Sequence, residues 1–196
     1  MGWSCSWIAV RGGEKTVLLD HLGWVETGET VEPGTRRSGV SVCERPNGWT
    51  VLFSEDFDWA DADRVKDLSR YGLAIGCQFE DKVEMASSAC AAESGAQLWR
   101  VSHRNDPKHL FDVEGVPPEI LGSLREQAVR QQEEDEDVDF LHETPMELAA
   151  AICGYRAEDD GALFQAARPI AATSGKAPVR KSFLDKLLAP LKARAE

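Results

Sequence analysis

The chain has 196 residues, 42% of them hydrophobic, enough to bury the core of one domain of ordinary size with appendages. It carries 34 acidic against 22 basic residues, a formal charge of −12. Binding of the main body to nucleic acid or to an anionic bilayer is therefore disfavoured, because both need Lys and Arg to neutralise phosphates. The charge is also segregated. Residues 176–196 hold six bases (Lys176, Arg180, Lys181, Lys186, Lys192, Arg194) against two acids (Asp185, Glu196), a net +4, which leaves 16 bases against 32 acids, −16, in residues 1–175.

Five cysteines (Cys5, Cys43, Cys77, Cys90, Cys153) lie far apart, are odd in number and lack CxxC or Cys/His spacing. They read as buried, reduced thiols and exclude a zinc site or a disulfide framework. Residues 1–10 have no basic region followed by an apolar one, and no run approaches about 18 uninterrupted apolar residues. The expectation is a cytoplasmic protein with no integral membrane segment and no cofactor.

In chain order, 4–10 alternates Ser, Trp and aliphatic residues and reads as a strand broken at Gly12-Gly13. Val17, Leu18, His21, Leu22 and Val25 fall at helical spacing over 14–24, and Gly23 ends that helix. The Gly-, Glu-, Thr- and Pro-rich stretch 27–38 reads as a loop. Strands at 39–43 and 49–54 flank Pro46-Asn47-Gly48, a strong hairpin signal. A helix over 61–71 is capped by Asp58 or Asp61 and stopped by Gly72, and a strand follows at 73–79. A second hairpin joins 83–90 to 97–103 around Glu93-Ser94-Gly95. Its sequence Ser-Ala-Cys leading to Leu-Trp echoes Ser-Val-Cys leading to Gly-Trp in the first.

The predicted fold is α+β: a mostly antiparallel sheet, built from a βαββ unit that the echo suggests is duplicated, with helices on one face and further helices toward the C-terminus. Those helices span 119–132, with Ile120, Leu124, Ala128 and Val129 as the apolar stripe, and 144–153. Thr144-Pro145-Met146-Glu147 reads as a capping box at the start of the latter, which Gly154 ends. Residues 1–156 form the acidic domain, 157–180 a linker, and 181–196 a basic amphipathic helix with Phe183, Leu184, Leu187, Leu188 and Leu191 on its apolar side.

No catalytic or metal motif emerges. His103 or His109 with Cys90 or Asp106 is the best enzyme set, yet Cys90 and His103 fall several ladder rungs apart in the second hairpin. His142-Glu143 near Asp139 has no EF-hand or HExxH spacing and reads as a solvated acidic loop. Trp7, Trp49 and Trp99 sit on alternating strands and read as core. Two acidic runs stand out as partner-binding candidates. One is Glu55-Asp56-Phe57-Asp58-Trp59 with Asp61 and Asp63; the other is Glu133-Glu134-Asp135-Glu136-Asp137 with Asp139. Phe57 and Trp59 either anchor a basic groove from an exposed loop or tuck back over the sheet.

The Gly48-Trp49 hairpin, Trp99-Arg100-Val101-Ser102-His103 closing a strand, Gly115-Val116-Pro117-Pro118 opening a helix and Thr144-Pro145-Met146-Glu147-Leu148 together resemble a group of small acidic bacterial proteins. Some proteins of that make-up are immunity proteins that neutralise secreted toxins. The resemblance spans about residues 1–156 and rests on packing and turn residues, so it carries no functional residue across. Charge and resemblance point to a non-enzymatic module that masks a basic protein partner, such as a secreted toxin. The alternatives are a small enzyme using His103 or His109, or an adaptor docking through its basic C-terminal helix. That helix has three destinations: its own acidic body, an anionic membrane, or a partner.

Overall fold

The strand β1 (Ser4–Arg11) is the middle member of a nine-stranded antiparallel sheet in a computed structural model that describes residues 4–31, 39–81, 85–105, 110–135, 138–157 and 163–170. Residues 5–10 are buried. Their alternation sends Cys5, Trp7 and Ala9 to one face and Ile8 and Val10 to the other. There follow α1 (Lys15–Leu22), β2 (Trp24–Val31), β3 (Val40–Glu44), β4 (Trp49–Ser54), α2 (Ala62–Leu68), β5 (Ala74–Glu80) and β6 (Ala86–Glu93). The chain continues through β7 (Ala96–His103), β8 (Phe111–Gly115), α3 (Ile120–Glu134), α4 (Thr144–Cys153) and β9 (Phe164–Pro169), with 3-10 turns at Phe57–Ala60, Ser69–Tyr71 and Phe140–Glu143. The spatial order is β2-β9-β3-β4-β1-β5-β6-β7-β8.

The α+β class and the antiparallel sheet are as expected. Both N-terminal helices share one face, where Leu18 and Leu19 of α1 and Val65 and Leu68 of α2 pack on Ile8, Val10, Val42 and Leu52. The C-terminal helix α4 covers the opposite face, with Met146, Leu148, Ala149 and Cys153 against a layer holding Trp7, Trp49, Phe53, Cys77 and Trp99. Tyr155 pins the chain beyond α4, edge-on to Trp7 with ring centroids 5.3 Å apart. Trp7, Trp49 and Trp99 are thus core residues, and all five cysteines are free and buried. The echo between the hairpins is not carried into a common geometry, since Cys43 lies on the α4 face and Cys90 on the α1–α2 face.

Local signals explain the turns. Ser94 and Gly95 both take positive φ (52° and 82°), the conformation a two-residue type I′ hairpin loop requires. Asp61 accepts from the Arg64 amide at 2.7 Å and caps α2. Gly23 and Gly154 end α1 and α4 in the left-handed region.

Several expectations are corrected. Residues 27–31 of the predicted loop belong to β2, a largely exposed edge strand with a register shift between Glu26 and Thr30, so no buried alternation marks it; 32–38 lie outside the described residues. β8, the opposite edge, is exposed for the same reason. β9 lies inside the predicted linker. It fills a slot between β2 and β3, burying Phe164 and Ala167, so the domain extends past 156 to Ile170. The remaining linker residues 158–162 and 171–180, and the predicted basic helix 181–196, lie outside the described residues. In α3 it is Leu121 and Ala128 that are buried, whereas Ile120 and Val129 face outward.

The capping box does not form either. The 3-10 turn runs straight into α4, so the N-terminal cap moves back to Asp139, which accepts from the His142 amide, and the Thr144 hydroxyl is buried without a hydrogen-bond partner among the described residues. Thr144→Val should accordingly hold or raise the Tm. A working cap would instead lose about 1 kcal/mol.

Candidate functional site

Strand register decides which loops meet. Ser54 at the end of β4 pairs with Ser6 and with Val40, Glu80 at the end of β5 pairs with Ser4 and with Ala86, and His103 at the end of β7 pairs with Ser87 and Phe111. The connections after β4, β5 and β7 therefore all leave the sheet at one end. The turn before α4 is tied to the same end, because the Ser87 hydroxyl donates to the His142 carbonyl at 2.6 Å. The first acidic run and the described part of the second, 70 residues further along the chain, are thus gathered at one end together with Glu80 and Asp81. Arg64 and Arg104 are the bases in these connections and the adjoining first turn of α2 among the described residues.

Individual acids differ in how they are used. Asp56 accepts from the Asp58 amide at 3.0 Å and caps the turn Phe57–Ala60, Asp61 caps α2, and Asp63 pairs with Lys66 at 2.8 Å. Glu55 is half-buried, whereas Asp58 is exposed. Glu133, Glu134 and Asp135 are exposed at the C-terminal end of α3, where the helix dipole is already negative, so they strengthen an acidic field at some cost to the helix. Glu136 and Asp137 lie outside the described residues.

Two of the predicted partner-binding residues are corrected. Trp59 is buried on the α1–α2 face, with the Arg64 guanidinium 4.9 Å from its ring centroid and donating to its carbonyl, and Phe57 is half-buried. The aromatic side chain tucks back over the sheet because the run bends into a 3-10 turn. Asp139 is half-buried and turned toward a histidine. Its Oδ2 lies 3.1 Å from Nε2 of His103.

That contact belongs to a cluster the sequence did not reveal. His103 and His142 are both buried, their ring centroids 5.6 Å apart and nearly edge-to-face, and His142 also packs at 4.6 Å on Phe79. Nδ1 of His103 has no hydrogen-bond partner among the described residues. Burial lowers the pKa of both imidazoles; the proximity of His103 lowers that of His142 further, while Asp139 opposes the shift at each. The signal available was Asp139 three residues before His142, an N-cap spacing, but nothing local ties either to a strand end 36 residues earlier.

The chemistry proposed for Cys90 and His103 has no geometry. Cys90 pairs with Arg100, three residues from His103 along β7, so the two project to opposite faces. Burial also pushes the Cys90 and Cys153 thiols up to about 11 and Cys77 higher than its ordinary value, so none is a thiolate at neutral pH. His109 and Asp106 lie outside the described residues, among which no group of three or more His, Cys, Asp or Glu is arranged to hold a metal.

Two surface grooves, of about 450 and 290 Å³, run beside α3. One is lined by Arg45, Glu147 and Arg156 and the other by Gln132, Glu133 and Leu141; neither includes a histidine. On the other face His21 bridges α1 to α2, with Nε2 2.7 Å from Asp67 and Nδ1 3.0 Å from the Tyr71 hydroxyl. Compared with known protein families, curated proteins and solved structures, the chain matches none.

Asp139→Asn removes the only carboxylate within ion-pair distance of His103 among the described residues and weakens the cap of the turn before α4. It should lower stability by about 1 to 3 kcal/mol in urea unfolding at neutral pH, the range for a disrupted buried polar contact.

Proposed function

We propose that the chain is a protein-binding module whose acidic end masks a cationic surface on another protein, in the manner of an immunity protein covering the basic active site of a secreted toxin. The observation that carries this reading is the convergence of both acidic runs, with Glu80 and Asp81, at one end of the sheet. Capping does not cancel that field, and pairing with Lys66 offsets it at Asp63. A carboxylate that accepts an amide hydrogen bond keeps its charge, and a one-signed surface speeds encounter with a basic partner while rejecting acidic ones.

A decalysine peptide serves as a probe of the field. In amide chemical-shift mapping its effects should concentrate at Glu55, Asp58, Glu80 and Asp81 and fade as salt shortens the screening length below about 8 Å. Replacing both Asp58 and Asp81 by Lys should weaken binding about fivefold or more, from charges worth roughly 0.5 kcal/mol each. Shifts spread evenly over the surface, or binding that persists at high salt, would exclude the reading.

One observation favours an added role for the basic tail. β9 runs antiparallel to β3, with Ala167 opposite Val40, itself opposite Ser54, so Ile170 leaves the sheet at the acidic end. The six residues to Lys176 span at most about 20 Å. The bases of 176–196 are thereby tethered within reach of that end, and we propose that they compete for the acids as an internal counter-ion. In the full chain, replacing Lys186, Lys192 and Arg194 by Gln should tighten decalysine binding at low salt. Unchanged or weaker binding would show that the tail does not compete at that end.

A further inference from the structure

We propose that His103 and His142 form an acid-sensitive latch, in which protonation of the pair frees the turn Phe140–Glu143, which leads into α4, from the sheet. The inference rests on the cluster itself and stands apart from the binding role.

Burial and the closeness of the two rings oppose protonation of the pair, against Asp139, which favours it at each ring. From β7 comes His103 and from the turn come His142 and Asp139; β6 supplies Ser87, β5 supplies Phe79, and β8 supplies Phe111 opposite His103. Asp81, just beyond β5, and the Glu80 backbone favour protonated His142, but burial, the largest influence, together with His103 outweighs them. Asp139 Oδ2 lies 3.1 Å from Nε2 of His103, yet neither ring nitrogen of His103 makes a hydrogen bond among the described residues. Protonation makes donors of both nitrogens, Nδ1 has no acceptor among the described residues, and an unsatisfied buried donor on a cation is expensive. One carboxylate at ion-pair distance can offset one imidazolium. A second, 5.6 Å away, meets a like charge.

What yields is the turn and not the sheet. His103 lies in a strand paired on both sides, through Ser87 on β6 and Phe111 on β8. The turn is held by the Ser87 to His142 hydrogen bond, the Asp139 cap and the stacking on Phe79. Thr144 beyond it brings no cap of its own.

The sign follows from proton binding. A buried histidine with a lowered pKa binds fewer protons closed than open, so the closed state is fully favoured above the ordinary histidine value near 6.5 and loses ground as pH falls below it.

Amide hydrogen exchange on the full chain tests the latch. After correction for intrinsic rates, residues 138–146 should lose protection by about tenfold or more between pH 7.5 and 5, one pKa unit's worth, while β1 and β5 amides keep theirs. Paired replacement His103→Gln and His142→Phe should abolish that difference. Unchanged protection in the wild type, or an equal loss in the variant, would overturn the proposal. Histidine proton resonances of the wild type decide the matter even if the variant does not fold. Neither ring should titrate before 138–146 opens, and ordinary titration of either ring with the turn still protected defeats the latch.

Discussion

Antiparallel pairing of β1 with β4 and β5 constrains everything else in the molecule. Trp7 pairs with Phe53 and Cys77, and Ile8 with Leu52 and Gly76. A slip of one residue would send Trp7 to the α1–α2 face and Ile8 beneath α4, exchanging the contents of two packed layers. Gly76 fits the register because a Cβ there would sit 2.3 Å from the Val65 side chain of α2. With the register fixed, the ends of the strands are fixed too, and so is the company each loop keeps.

The acidic end shows how local and long-range electrostatics coexist. Asp56 and Asp61 cap helical turns, which satisfies backbone donors without removing charge. Glu133 and Glu134 do the opposite, crowding acids at a helix terminus that prefers bases. Local stability accounts for the first pair and gives no reason for the second. Beneath the surface, the same end holds two buried imidazoles that disfavour charge. A strongly charged rim therefore lies over a pair of rings kept neutral by desolvation.

Legibility in the sequence followed burial. The central strands, the core tryptophans, the Asp61 cap and the glycines that end α1 and α4 were readable because periodicity and helix-end chemistry are local. The edge strands β2 and β8 were not, because their side chains face water and carry no alternation. β9 escaped because its partners β2 and β3 lie more than 120 residues away in the chain. Thr144-Pro145-Met146-Glu147 misled for a different reason: a 3-10 turn upstream claimed the helix start. The acidic runs were visible as composition, but their meeting at one end depends on pairing. The histidine pair was invisible, since it joins a strand end to a turn 39 residues later with no motif between them.

The two outer strands bear on how such an open sheet behaves in a crowded solution. Unpaired amides and carbonyls along a border are templates for another chain. Here one border is only five residues long and carries Asp112 and Glu114; the other is kinked by a register shift and bears Glu26 and Glu29. Stacking two molecules border to border would set carboxylates against carboxylates along short or bent rails. Growth of ribbons is thereby discouraged at both margins without a covering helix.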